Sequence, residues 1–202
     1  MNVRQGDSNK MSSRLEFREL RELLTATPHG DLVDAMVNYS SSDDLFMLYF
    51  LALAQMSTGV EREKVLDTAM SLIERVFGDE RIPGSLDWRS RAKFGNAADL
   101  IEELLKHGMH EQVIIAAERC FECVSNLAAV HWPDDFLECY TPIIRSWILA
   151  LHASGLSVSN ISDQVRYLVD LDRYGAFYDL KARFRQELGE DVLAQLDKKK
   201  PT

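Results

Sequence analysis

The sequence contains few cysteines and no apolar run long enough to cross a membrane. Its three cysteines, Cys120, Cys123 and Cys139, form an odd set in a chain of 202 residues, which excludes a disulfide-stapled scaffold and fits reduced thiols. The polar residues 1–10 lack the apolar core of a secretory signal, so we expect a cytoplasmic protein. The longest apolar run, 45–56, has 12 residues. A bilayer requires about 20, so this run predicts a buried helix and no membrane partner.

Basic residues are also scarce relative to acidic ones. The chain contains 23 Lys and Arg residues and 32 Asp and Glu residues, which gives a formal net charge of −9. Nucleic acids and anionic membranes both select a basic surface, so we expect neither as a partner. Hydrophobic residues make up 46% of the chain, which is typical of a soluble globular protein.

The sequence has no alternating, β-branched run that would indicate a strand. Apolar residues instead recur at helical spacing, and glycine, proline or polar clusters end each stretch. Helices are predicted over 13–26, 30–39, 43–57, Val65–Phe77, a pair in 87–127 that turns at Gly108, Pro133–Gly155 with a kink or split at Thr141 before Pro142, and three short stretches, Ile161–Val169, Phe177–Phe184 and Val192–Leu196. The predicted fold class is therefore all-α, with antiparallel helix pairs stacked as a short α-solenoid or an irregular helical-repeat bundle.

The predicted domain organisation is simple. Residues 1–12 are expected to be a disordered N-terminus, 13–197 a single helical-repeat domain, and 198–202 a basic tail. The segment 78–86 contains glycine and proline and resembles a loop, so it is the predicted hinge within the domain.

Two pairs of zinc-type ligands occur close together in the sequence. They are His107 with His110, and Cys120 with Cys123. If 110–123 is helical, the ten residues from His110 to Cys120 separate the pairs by about 15 Å. The ligands of one zinc ion lie about 2.0 to 2.3 Å from it. We therefore predict no metal site and interpret the cysteines as packing residues.

Other catalytic patterns are weak or missing. A thioredoxin-like role for Cys120 requires a helix N-terminus that lowers its pKa, and none is predicted there. Cys139 and His131 could form a nucleophile and base, but one residue of each type carries little information. Phosphate-binding loops, nucleophile elbows and metalloprotease motifs are absent from the sequence. We predict no cofactor and no catalytic residue, and the balance is against an enzyme.

One cluster combines aromatic area with positive charge in this acidic chain. It consists of Trp88, Arg89, Arg91 and Lys93. Tryptophan and arginine are enriched in interface hot spots, so the cluster is the predicted partner-binding site for an acidic partner. An ordinary solvated helix surface is the alternative interpretation. The next candidates are aromatic residues of the later helices: Trp132, Trp147 and Tyr174.

Two stretches resemble known helical repeats. Residues 104–121, with Gly108 at the turn and small residues on the second helix, look like the centre of a tetratricopeptide unit. Residues 97–196, including ADLIEELLKHGMHEQVIIAAERCFE and LVDLDRYGAFYDLKARFRQELGED, resemble the helical-repeat region of poorly characterised bacterial proteins. Some of those proteins carry a SWIM-type zinc-binding domain. Its Cys/His pattern is absent here, because residues 1–100 contain no cysteine and only His29. The resemblance implies a bacterial helical scaffold.

These observations predict a non-enzymatic helical-repeat scaffold that binds a protein or peptide partner. Two alternatives stay open. One is a small all-α enzyme with a site between its helices, and the other is a homo-oligomeric structural protein whose exposed surface meets its own copy.

Overall fold

The computed structural model describes residues 25–40, 43–77, 88–126, 134–171 and 180–198. Helix accounts for 89% of these residues and strand for none, which confirms the all-α fold class. The predicted disordered N-terminus (1–12), the predicted hinge (78–86) and residues 199–202 of the basic tail lie outside the described residues. The division into one domain over 13–197 stays a prediction.

The chain divides into two compact units, 1–46 and 47–202. In the first unit the structure describes α1 (His29–Ser40) and the start of α2 (Asp44–Thr58). The carboxylate of Asp43 accepts hydrogen bonds from the backbone N–H groups of Leu45 and Phe46, both at 3.0 Å. Asp43 is therefore the N-cap of α2.

The second unit contains the rest of α2 and seven further helices in the described ranges. They are α3 (Arg62–Phe77), α4 (Trp88–Lys106), α5 (His110–Asn126), α6 (Asp134–Ala153), α7 (Val158–Leu171), α8 (Leu180–Arg183) and α9 (Arg185–Asp197). Pro142 lies inside α6, so the predicted split at Thr141 does not occur. A proline inside a helix costs about 3 kcal/mol. The packing of Tyr140, Ile143 and Trp147, all buried, offsets that cost.

Four glycines with positive φ connect consecutive helices. Gly59, Gly108, Gly155 and Gly189 have φ angles of 71°, 66°, 71° and 76°. After Gly59 and Gly108 the next N–H reaches back to the last turn, from Val60 to the Gln55 carbonyl at 3.1 Å and from Met109 to the Leu104 carbonyl at 3.0 Å. This is the Schellman arrangement, which favours glycine because other residues are strained at positive φ.

Gly189 interrupts the helical conformation within α9. Its φ of 76° and ψ of 157° are not helical, so 180–188 and 190–197 are separate segments. Two ion pairs connect these segments, Lys181 with Asp197 and Arg185 with Glu190, each at 2.8 Å. The numbering of the pairs shows that the segments are antiparallel. We call residues 180–197 the C-terminal hairpin, and it confirms the two short helices predicted at this end.

The C-terminal hairpin packs against the preceding pair, α6 and α7, and each of its two segments runs parallel to the helix that it contacts. Arg183 donates to the Thr141 hydroxyl at 2.9 Å, and Arg145 pairs with Glu187 at 2.8 Å, so the first segment runs parallel to α6. The Ser162 hydroxyl lies 3.5 Å from the Val192 carbonyl, which shows where α7 meets the second segment. One turn further along α7, Arg166 donates to the carbonyls of Gln195 and Lys198, so α7 and the second segment are also parallel.

The same arrangement recurs through the second unit. The first helices of successive pairs contact each other (α4 with α6), and so do the second helices (α3 with α5, and α5 with α7). The first helices begin at residues 44, 88, 134 and 180, at intervals of 44 to 46 residues. Stacked helix pairs are therefore observed, as predicted, and each pair consists of a helix, a positive-φ glycine and a second helix.

Replacing glycine by alanine should have opposite effects on stability at Gly189 and at Gly95. Gly189→Ala should lower the free energy of unfolding by about 1 to 3 kcal/mol, because its backbone conformation is nearly exclusive to glycine. Gly95→Ala should raise it by about 0.5 to 1 kcal/mol, since Gly95 lies inside α4 and no atom lies within 4 Å of an added Cβ. Urea unfolding of both variants measures the two effects, and equal signs would contradict the proposed turn at Gly189.

Candidate functional site

The predicted binding cluster lies at the start of α4. Trp88, Arg89 and Arg91 belong to the first turn of that helix, but their side chains lie outside the described residues. Lys93 is half-buried. The described residues therefore do not test whether these four side chains form one site, and their role stays a prediction.

Trp147, one of the later candidates for docking, is a core residue. Its side chain is 1% exposed. The Phe121 ring on α5 packs edge-on against it with centroids 5.3 Å apart, and Tyr140 lies 5.8 Å from Phe121 on the other side. A buried ring in such a cluster is not available to a partner. The other two later candidates, Trp132 and Tyr174, lie outside the described residues.

The cysteines on α5 are packed inside the unit, as the sequence interpretation expects. Cys120 is fully buried, and burial raises the pKa of its thiol well above its ordinary value. Burial also raises the pKa of the half-buried Cys123 thiol. Because α5 is continuous from His110 to Asn126, the helical premise of the zinc argument is confirmed. Within the described ranges no group of three or more His, Cys, Asp or Glu side chains is placed to hold a metal ion.

Two surfaces of the second unit are formed by the exposed sides of its helices. The first-helix face is the exposed side of α2, α4, α6 and 180–188, and the second-helix face is the exposed side of α3, α5, α7 and 190–197. The second-helix face extends across successive pairs because α3 packs against α5, α5 against α7 and α7 against α9, and the first-helix face does so because α4 packs against α6 and α6 against α9.

The first-helix face contains separate acidic and basic parts. On α4, Lys106 pairs with Glu103 at 2.6 Å. Tyr49 of α2 lies near this pair, and burial followed by the charges of Asp99 and Glu103 raises the pKa of its phenol. On α6 and 180–188 the exposed side chains include Arg145, Leu149, Lys181, Arg183 and Arg185. Most of these cations already have a described acidic partner.

Among the described residues, the second-helix face is acidic and contains four large exposed hydrophobic side chains, Ile115 on α5 and Val158, Tyr167 and Val169 on α7. Ile115 on α5 is 38% exposed and Tyr167 on α7 is 54% exposed. Arg119 bridges two carboxylates, Glu122 at 3.1 Å and Glu74 of α3 at 3.5 Å. This bridge shows that α3 and α5 are neighbours on this face. Tyr167 was missed by the sequence interpretation, although it lies on the polar side of a helix whose apolar side is Ile161, Val165 and Leu168.

Glu118 connects the second-helix face to the core. Burial raises the pKa of its carboxyl, and the indole N–H of Trp147 acts in the opposite direction. That indole nitrogen is itself buried and completes no well-formed hydrogen bond within the described part of the chain. Glu118 is therefore a half-buried carboxyl at the edge of the second-helix face.

The raised pKa predicts a pH-dependent effect of Glu118 on stability. The folded state holds the carboxyl proton more tightly than the unfolded state, so stability is lost as pH rises above the ordinary value of 4.5. Glu118→Gln should therefore unfold at higher urea concentration than the wild type at pH 7, and the difference should shrink towards pH 4. Glu111→Gln, at an exposed position, is the control. A constant difference at both pH values would contradict the assignment.

No family model, curated protein or solved structure gives a significant match to this chain. None of the described helices is long and apolar enough to span a bilayer. The two faces are therefore interpreted from their own geometry and charge.

Proposed function

We propose that this chain is a non-enzymatic helical-repeat scaffold that binds a protein or peptide partner. The observation that carries the proposal is the repeated stacking of helix pairs, which leaves like helices next to each other on two extended faces. Such faces suit docking because a partner can contact several pairs at once. The bacterial and cytoplasmic origin inferred from the sequence belongs to the same proposal.

Exposed apolar side chains on these faces support a binding role. Ile115, Leu149 and Tyr167 are each more than one-third exposed, and they lie on three successive helices of the stack. Single exposed apolar residues are common on protein surfaces and do not by themselves indicate binding. These three side chains support a binding role because they lie on faces that extend over several helices. The cluster Trp88, Arg89, Arg91 and Lys93 stays part of the proposal as the candidate site for an acidic partner.

Affinity purification of the tagged full chain, followed by cross-linking, tests the proposal. We expect one or a few proteins to be retained in near-stoichiometric amount, with cross-links to exposed lysines such as Lys64, Lys106 or Lys181. Arg89→Glu with Arg91→Glu tests the predicted cluster, since loss of capture would place an acidic partner there. If no protein is retained at stoichiometry, and the purified chain neither self-associates nor binds a partner, the scaffold proposal is wrong.

A further inference from the structure

The second-helix face concentrates negative charge. Its outward carboxylates outnumber its outward cations among the described residues. The carboxylates that are not buried on these helices are Glu63, Asp67, Glu74, Glu111, Glu118, Glu122, Asp163, Asp170, Glu190, Asp191 and Asp197, and the cations are Arg62, Lys64, Arg75, Arg119 and Arg166. This excess sets the sign of the potential that a partner meets at this face.

The arginines of the face do not remove this excess. Arg119 is shared between Glu74 and Glu122, and Arg166 is engaged by Asp163 and by backbone carbonyls of the C-terminal hairpin. Asp67, Glu111 and Asp170 form no ion pair with any described residue. These carboxylates are exposed and remain able to pair with an incoming cation.

Two of the large exposed side chains, Ile115 and Tyr167, lie among these carboxylates. On α5, Ile115 is one helical turn from Glu111 and from Glu118 or Arg119, while on α7 Tyr167 lies between Asp163 and Asp170. Since α5 and α7 are adjacent second helices, both side chains belong to one continuous surface. An apolar contact flanked by carboxylates fits a segment that alternates cationic and apolar residues.

The buried Trp147 indole lies behind this surface. Its nitrogen completes no well-formed hydrogen bond among the described residues, and its N–H favours the ionised form of the Glu118 carboxyl against the larger effect of burial, which raises the pKa of that group.

We propose that the second-helix face docks a lysine- and arginine-rich segment of a protein partner, whose apolar residues contact Ile115 and Tyr167. This inference rests on the proposed function and adds the charge of the partner and the face that receives it. Packed helices lie about 8 to 10 Å apart. An extended chain rises about 3.3 Å per residue, so roughly six residues cross from α3 to α7.

A fluorescein-labelled peptide of nine residues, Lys-Arg-Leu-Lys-Arg-Leu-Lys-Arg-Lys, is the probe, and the same peptide with glutamate at every basic position is its counterpart. Fluorescence anisotropy with the full chain should show binding of the basic peptide that weakens with salt, and no binding of the acidic one. The double variant Glu111→Lys with Asp170→Lys should weaken binding about tenfold or more, which corresponds to about 1.4 kcal/mol. Tyr167→Ala should weaken it as well.

The matched control reverses the same number of charges on the other face. Asp99→Lys with Glu102→Lys changes the net charge equally but alters the first-helix face, so binding should stay within about twofold of the wild type. Equal weakening by both double variants would show that only net charge matters and would overturn the proposal. Absence of binding to the wild type would overturn it too.

Two further outcomes separate this inference from the proposed function. If the partner retained by affinity purification binds the Glu111→Lys, Asp170→Lys variant as tightly as the wild type, the docking face is wrong and the scaffold function stands. If sedimentation shows a dimer of the wild type that this variant breaks, a second copy occupies the face and the proposal of a basic partner is wrong.

Discussion

Trp147→Ala should lower the free energy of unfolding by about 3 to 5 kcal/mol, because removing a fully buried aromatic side chain leaves a cavity that its neighbours fill only partly. Trp147 is 1% exposed and packs edge-on against Phe121, which in turn contacts Tyr140. It also lies on α6, which packs against α4 on one side and against the C-terminal hairpin on the other. Loss of this side chain therefore weakens the contact between α6 and α5 of the preceding pair.

Urea unfolding followed by circular dichroism measures this effect. Trp147→Phe is the matched variant, since it keeps an aromatic ring and removes the indole N–H that completes no hydrogen bond. It should cost less than half of what Trp147→Ala costs. Tyr167→Ala, at an exposed position, should stay within about 0.5 kcal/mol of the wild type. A loss below about 1 kcal/mol for Trp147→Ala would show that the ring is not part of the core.

Phe184→Ala should release the C-terminal hairpin from the stack before the rest of the unit unfolds. Phe184 is 2% exposed and lies between α8 and α9, where its N–H bonds to the Leu180 carbonyl at 3.0 Å and its carbonyl accepts from Leu188 at 2.9 Å. The substitution should cost about 3 to 5 kcal/mol. Because the hairpin contacts other described helices mainly through α6 and α7, most of that loss should appear as local opening of the hairpin.

Hydrogen exchange followed by mass spectrometry locates this opening. Peptides from 180–197 should exchange much faster in the Phe184→Ala variant, while peptides from α4 and α5 should keep their protection. Glu190→Ala is the control, because its ion pair with Arg185 is exposed and contributes little. Uniformly faster exchange in the whole second unit would show instead that the hairpin and the other pairs unfold together.

Helical periodicity predicted the helices well, but it could not distinguish side chains available for binding from side chains in the core. The stretches 30–39 and 43–57 are observed as His29–Ser40 and Asp44–Thr58, because N-caps and glycines mark helix ends in the sequence itself. Trp147 shows the limit of the method. On α6 apolar residues occupy most positions around the helix, so the sequence does not distinguish a docking side chain from a core one.

The stacked helix pairs were predicted, but their spacing of 44 to 46 residues was not, for a physical reason. Successive pairs share a backbone feature, the positive-φ glycine between two helices, more than they share side chains. Gly59, Gly108 and Gly155 are 47 to 49 residues apart, but the sequence alone does not show which glycines have positive φ. Tyr167 was identifiable in principle, since an aromatic residue on the polar side of an amphipathic helix is uncommon.

The stacking of like helices has a consequence for how this unit folds. Each helix contacts helices that lie within a few elements of it along the chain, for example α4 with α6 or α5 with α7. Such contacts close short loops, so the entropy lost before each contact forms is small. Folding can start at any one pair and extend to its neighbours, and helical proteins with such low contact order fold in about microseconds to milliseconds. Synthesis on the ribosome would then complete the pairs one after another, each on the pair that precedes it.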